Sequence, residues 1–282
     1  GLPGRRAVVM TMGALHEGHL ELVRQARRHG DHVVVTIFVN PLQFGAGEDL
    51  DRYPRTLEAD VTALGSVGAD LVFAPEPDVV YPDGEPLVRL SAGPLGDRWE
   101  GAVRPGHFGG VLTVVAKFMN LLRPDVALFG QKDAQQLALV RRMVRDLDLP
   151  GEVVAVPTGR DADGLALSSR NAYLTEPQRR SALALSRSLR AAGRAAERLG
   201  AGPAAVLAAA RAELDAAIAA EPGALTLDYV TLINPDNLEE LESDYRGTAL
   251  LAVAARVGGT RLIDNTLIEL GVRTNAYPAG DG

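Results

Sequence analysis

His16 and His19 stand three residues apart in Met12-Gly13-Ala14-Leu15-His16-Glu17-Gly18-His19, between a short apolar run and a stretch that reads as a helix. Imidazoles at that spacing at a helix start share one face. With the amides of a helix N-terminus they suit a polyphosphate. Gly13 and Gly18 would permit a tight turn and close approach of a ligand. The same spacing can chelate a metal or serve structure alone. The other imidazoles, His29, His32 and His107, offer no obvious third ligand nearby.

Three more clusters carry polar chemistry. Phe129-Gly130-Gln131-Lys132-Asp133, with Gln135 and Gln136 behind it, follows another apolar run and enters another helical stretch. Lys132 would stand at a helix start beside Gly130, where a cation can meet phosphate oxygens and Asp133 can cap the helix, or the cluster is a plain solvated turn. Lys132 and Lys117 are the only two lysines among 29 basic residues. Base bias explains the imbalance, yet an arginine background draws notice to each remaining lysine, which offers a compact point charge where arginine offers a planar fork. Leu167-Ser168-Ser169-Arg170-Asn171 offers two hydroxyls, amides and a guanidinium for an anion, although Ser-Ser-Arg equally fits an ordinary loop. Asn40-Pro41-Leu42-Gln43-Phe44 puts two amides at the mouth of a long apolar run, where they suit a small polar ligand or a plain turn.

The elements that must hold these clusters read as follows. Val33 to Val39 is a continuous β-branched and aromatic run, as in a strand buried on both faces. Further strands are expected at 7–10, 71–74, 126–129 and 153–156, with helices near 19–29, 54–65, 108–122 and 134–147. Such alternation predicts an α/β, Rossmann-like domain with a parallel sheet, and ligands bind such sheets beyond the carboxyl ends of the strands. The character changes after residue 157. Leu185, Leu189, Ala192, Ala196 and Leu199 mark one amphipathic helix, Gly200-Ala201-Gly202-Pro203 breaks it, and Leu207, Ala210, Leu214 and Ala217 mark a second. Strands are expected at 225–233 and 249–257, with a short one near 260–263 after the Gly258-Gly259 turn. The expected organisation is therefore residues 1–157 as the ligand-binding domain and 158–282 as a smaller α+β domain with an antiparallel sheet, covering the site.

Composition removes other classes. The 282 residues are 46% apolar and 23% charged, ordinary globular usage. A net charge of −7 argues against a nucleic-acid backbone as main partner. With no cysteine, thiolate nucleophiles, disulfides and Cys-based zinc sites are excluded. No apolar run reaches the roughly 18 residues of a membrane span, and Gly1 to Arg6 opens no apolar signal region, so a cytoplasmic enzyme is expected. There is no Gly-x-x-x-x-Gly-Lys loop, no Gly-x-Ser-x-Gly elbow and no Gly-x-Gly-x-x-Gly after a strand.

The order and spacing of these clusters resemble the pantothenate synthetase family, within the nucleotidyltransferases marked by a His-x-Gly-His type motif. The resemblance covers nearly the whole chain. It is carried by Thr11 to His19, Ile37 to Phe44, Tyr53-Pro54-Arg55-Thr56, Arg104-Pro105-Gly106-His107-Phe108, Phe129 to Gln136 and Asp163 to Asn171. The first strand is short upstream, so a trimmed N-terminus is expected.

The resemblance implies ATP-dependent joining of pantoate and β-alanine through an adenylate, with Mg2+ and a homodimer. It places Met12, Gly13, Ala14, Leu15, His16, Glu17, Gly18 and His19 on ATP. Gly130, Gln131, Lys132, Asp133, Gly159, Leu167, Ser168, Ser169 and Arg170 join them. His16, His19, Lys132 and Arg170 are the implied catalytic groups, with His19 the proton donor. Gln43, Gln136, Asn40 and Met12 are placed on pantoate or β-alanine. Asp60 is a candidate metal ligand and Arg104 a further pocket candidate. Met10, Gln131, Ala134 and Gly159 depart from the family pattern without removing a catalytic group. A relative that makes a dinucleotide, or a nucleotide-sensing or RNA-binding module without chemistry, are the competing readings. Gln43 and Gln136 count against the first. The acidic charge and the intact His16, His19, Lys132 and Arg170 count against the second.

Overall fold

A computed structural model describes residues 3–48, 50–198 and 201–271 of the chain. Two compact units follow one another, dividing between Tyr173 and Leu174. In the first unit, β1 (Arg6–Thr11) leads through α1 (Glu17–His29) to β2 (His32–Ile37), and α2 (Leu57–Ser66) leads to β3 (Leu71–Phe73). Two single turns, α3 (Pro77–Val80) and α4 (Glu100–Val103), precede the long α5 (His107–Leu122). Then come β4 (Val126–Gly130), α6 (Ala134–Asp146) and β5 (Glu152–Val156).

The five strands form one parallel sheet in the order β3-β2-β1-β4-β5. Strand periodicity sorts their side chains onto two buried faces. Ala7, Val9, Val33, Val35, Val126 and Leu128 point to one face, where Leu22, Val23 and Ala26 of α1 and Leu64 of α2 cover them. Ala127 and Phe129, with Phe38, point to the other, against Val111, Val115, Phe118 and Met119 of α5 and Leu137 and Val140 of α6. Both faces are buried, which is why these strands read as unbroken apolar runs.

The chain builds outward from β1 to β3, then crosses back to lay β4 on the other side of β1. That reversal is a topological switch point, where the loops leaving two adjacent strands diverge and open a crevice. The loop after β1 carries His16, and the loop after β4 carries Lys132.

The second unit holds α7 (Glu176–Ala196), α8 (Pro203–Ala220) and an antiparallel sheet β6-β7-β8. Its strands are β6 (Leu225–Ile233), β7 (Gly247–Val257) and β8 (Thr260–Leu270). Leu199 and Gly200, expected to end the first of these helices, and Gly1 and Leu2 lie outside the described residues.

Two expectations need correcting. The break between units does not follow β5 at 157. Residues 158–173 pack with the first unit, because Leu167 N–H donates to Gly159 O (2.9 Å) and both lie against Gly18 at the start of α1. The last strand is not a short run ending near 263 but continues to Leu270. Asp264 and Asn265 hide it in the sequence, yet both are buried in register with Val253 and Ala252.

Leu128 is 1% exposed on β4, whereas Leu121 on α5 is 60% exposed. Leu128→Ala is expected to lower the unfolding free energy by about 2–5 kcal/mol, and Leu121→Ala by no more than about 0.5 kcal/mol. Urea midpoints at unchanged m check this; equal shifts would contradict the described core.

Candidate active site

The loop from β1 into α1 turns through two consecutive residues of positive φ, Gly13 at +81° and Ala14 at +49°. Side chains rarely adopt that region, so Ala14 is held there at a cost on the order of 1 kcal/mol. The turn delivers His16 to the N-cap of α1. His16 Nδ1 accepts from Gly18 N–H (3.1 Å), and His19 Nδ1 accepts from His16 N–H (3.3 Å). Two imidazoles thus form a reciprocal capping box, the arrangement usually made by Ser or Thr with Glu. Their centroids lie 4.1 Å apart, with the planes tilted by 37°.

This cap fixes the tautomers. A nitrogen that accepts from an amide carries no proton, so the proton of each neutral ring sits on Nε2. Burial and then the Lys132 charge push the pKa of His16 down to about 4. Burial, then His16 and then Lys132 push His19 down to about 3, against a raising effect of Asp133. Both rings are therefore uncharged Nε2–H donors at neutral pH. The depression also shows that Lys132, leaving β4, sits within electrostatic reach of both histidines leaving β1. Asp133 and Asp161 bear on His16 in the opposite sense.

Phosphate was expected to meet amides as well as imidazoles here. Most of those amides are already engaged. Gly13 N–H donates to Thr11 Oγ1 (3.2 Å), and Ala14 and Leu15 N–H donate to the Asp60 carboxylate (3.0 and 2.9 Å). His16 and Gly18 amides serve the capping box. The loop offers a ligand mainly its side chains. Asp60, the candidate metal ligand, engages both carboxylate oxygens in this turn. Among the described residues no group of three His, Asp or Glu side chains converges to hold a metal.

The loop after β2 is set by Asn40, 1% exposed. Its Oδ1 accepts from Tyr81 O–H (2.9 Å) and Leu42 N–H (3.3 Å), and its Nδ2 donates to Gly110 O (3.1 Å) and Gln43 Oε1 (3.2 Å). Two donors and two lone pairs are then all used. Asn40, a candidate for the substrate pocket, orients Gln43 through the Nδ2–Oε1 bond. Gln43 Nε2 lies 2.9 Å from Met12 Sδ, which ties the β2 loop to the β1 loop. Gly110 makes this approach possible, since a Cβ there would collide with the Leu42 carbonyl.

A second support grips the Gln43 backbone. His107 Nδ1–H donates to Gln43 O (2.8 Å), and Arg104 Nη1 donates to His107 Nε2 (3.0 Å). Arg104 also clasps Glu48 through Nε (2.8 Å) and Nη2 (2.6 Å). Burial and then Arg104 hold the His107 pKa below its ordinary value, and Arg104 lowers that of Glu48. The sequence pattern assigned Glu48 no role, and His107 none beyond a place in a motif and a discounted place as a third imidazole ligand. An unpaired Glu in a Gly-rich loop carries no local signal of a partner 56 positions away.

After β4, Gln131–Asp133 forms one 3-10 turn before α6. Asp133 occupies the N-cap of α6 but makes no side-chain capping bond, contrary to expectation. Its carboxylate acts on the histidines instead. Gln135 accepts from Glu100 N–H (3.0 Å) and donates to Leu95 O and Arg98 O (both 2.9 Å), so it is structural. Gln136 stands half-buried in the first turn of α6. After β5, residues 159–167 fold back as a short hairpin joined by Arg160 and Ala166. Gly159 and Leu167 meet Gly18 there: a Cβ on Gly159 would lie 3.6 Å from Gly18 Cα and 3.0 Å from Leu167 Cδ1. Ser168, Ser169 and Arg170 follow at once, with Ser168 Oγ accepting from Arg170 N–H (3.3 Å).

Comparison with known proteins gives one consistent result. The family model described as pantoate-beta-alanine ligase matches residues 4–267. Pantothenate synthetase of Streptomyces avermitilis is 54% identical over 95% of this chain and 94% of its own. That of Thermobifida fusca is 58% identical over 95% and 90%. The crystal structure of pantothenate synthetase from Thermus thermophilus superposes with a TM-score of 0.87 at 50% identity, covering 93% of this chain and 92% of that one. Pantoate-beta-alanine ligase from Francisella tularensis, complexed with beta-gamma ATP and beta-alanine, gives 0.74 at 33% identity, covering 94% and 90%.

The depressed histidines set a pH dependence. Between about 6.5 and the folded values of about 4 and 3, the unfolded chain binds more protons than the folded one. Stability therefore falls as pH drops below about 6.5 and recovers as pH rises. Ring 15N shifts of the ligand-free protein should report Nε2–H imidazoles still neutral at a pH of about 5.5. A midpoint near 6.5 for either ring would contradict the site.

Proposed function

We propose that this chain, which belongs to the pantoate-beta-alanine ligase family and joins pantoate to β-alanine using ATP, does so in two steps through a pantoyl adenylate. The pantoate carboxylate attacks the α-phosphorus of ATP. The bond from that phosphorus to the α,β-bridging oxygen breaks, and pyrophosphate leaves with the electron pair. The amine of β-alanine then attacks the acyl carbon, loses its proton, and AMP departs with the acyl C–O electron pair.

One observation carries this reading: the histidine pair and Lys132 share one electrostatic site at the switch point of the sheet. Transfer at phosphorus needs positioning and charge stabilisation more than a protein nucleophile. The neutral Nε2–H groups of His16 and His19 donate hydrogen bonds to the triphosphate without adding charge. Lys132 supplies the charge, and Ser168, Ser169 and Arg170 close on the phosphates from the far loop. His19 enters as a hydrogen-bond donor. A bound triphosphate raises its pKa and brings proton transfer within reach. Gln43, held at both ends, and Gln136 orient pantoate beside Met12. Mg2+ arrives as part of Mg-ATP, carried by phosphate oxygens. The second unit acts as a lid, and the assembly is a homodimer.

Enzyme, Mg-ATP, pantoate and labelled pyrophosphate without β-alanine should yield labelled ATP, and His19→Ala should suppress that exchange. Gln43→Ala should raise the pantoate requirement and leave that for ATP unchanged. Release of ADP, exchange that ignores pantoate, or no exchange at all would each reject the adenylate route.

A further inference from the structure

Asp60 lies on α2, outside every motif that carries the family likeness, and is 3% exposed. A buried carboxylate needs donors for both oxygens. Three converge on it: Ala14 N–H on Oδ2 (3.0 Å), Leu15 N–H on Oδ1 (2.9 Å) and Thr56 Oγ1–H on Oδ2 (3.2 Å). Thr56 is the N-cap residue of α2, yet it makes no capping bond to that helix. A Thr cap ordinarily stabilises a helix by about 1 kcal/mol. Here its hydroxyl braces Asp60 instead.

The two amides come from the strained Gly13–Ala14 turn, where successive N–H groups form a concavity that otherwise binds anions. Asp60 fills it. The carboxylate also stands where a Cβ on Gly13 would meet it at 3.1 Å, so the turn and the carboxylate fit one another closely. His16 follows one residue after Leu15. From this we propose that Asp60 is a positioning residue for the reaction: it pins the left-handed turn so that the His16–His19 box presents its two Nε2–H donors in a fixed orientation. The inference rests on the nucleotide reading of that box. It adds that the amides of this loop belong to the protein and not to the phosphates.

The chemistry dictates the test. Asparagine has the shape of aspartate but only one acceptor, so in Asp60→Asn an NH2 group must face an amide N–H. Displacement of reacting groups by about 1 Å can lower turnover on the order of a hundredfold. In pantoate-dependent exchange of labelled pyrophosphate, Asp60→Asn is expected to lower kcat per folded enzyme at least about tenfold, with the pantoate KM within about twofold. The ring 15N signals of His16 and His19 should broaden or shift, while the circular dichroism spectrum stays native. A kcat within about twofold of the unmutated enzyme, at equal folded fraction, overturns the inference. So does a fall in kcat matched by an equal loss of folded protein. Should Asp60→Asn not fold, Thr56→Val removes only the bracing hydroxyl bond and must lower kcat in the same direction; an unchanged kcat there also overturns it. Absence of exchange in the unmutated enzyme instead sinks the adenylate reading, so the two failures are distinct.

Discussion

β1 and β4 run side by side and parallel, paired from Ala7–Val126 to Val9–Leu128. Because the chain reaches them from opposite directions across the sheet, their outgoing loops part at the same edge. Everything chemical here depends on that adjacency. It sets a cation from one loop against two imidazoles from another, though 113 positions separate Lys132 from His19 in the sequence (132 − 19). The buried faces that hold the two strands together are built from residues with no chemistry at all: Val9, Leu128, Ala127 and Phe129.

Around this crevice the protein uses polar groups chiefly to fix other polar groups. The histidines cap each other, Asp60 fills the amide concavity, Asn40 orients Gln43, and His107 with Arg104 and Glu48 holds the Gln43 carbonyl. Pre-set donors of this kind need no reorganisation when charge moves during reaction. The histidines remain neutral because burial and Lys132 both disfavour a second positive charge.

Much of the fold was legible because both sheet faces are buried: unbroken runs such as Val33–Val35 announce themselves, and helices such as Ala134–Asp146 follow from apolar spacing. The β8 strand was under-read because Asp264 and Asn265 interrupt its apolar pattern, although their burial is a tertiary matter. The division between units was set too early because residues 158–173 lose the α/β rhythm while still packing on Gly18. At the site, residue type singled out His16, His19 and Lys132, and the fold places His16 and His19 together at the start of α1 and Lys132 in the loop after β4. It gave no sign that the polar atoms of Asn40 and Asp60 are spent on the protein's own groups. Nothing in a local pattern separates an amide that binds a substrate from one that braces a neighbour. That distinction lies in hydrogen bonds to Gly110 and Tyr81, 70 and 41 positions away.

On the proposed reading, the Lys132 charge acts on the same phosphates that the histidine pair addresses. The most direct measurement is the turnover of pantoate-dependent pyrophosphate exchange in Lys132→Ala, with pantoate binding followed in parallel. Loss of one preorganised electrostatic contact is worth about 3 kcal/mol, so kcat should fall roughly a hundredfold. Pantoate affinity should stay within about threefold, since the pocket proposed for it lies at Gln43. Turnover close to that of the unmutated enzyme, or a loss carried mainly by pantoate binding, would contradict the account.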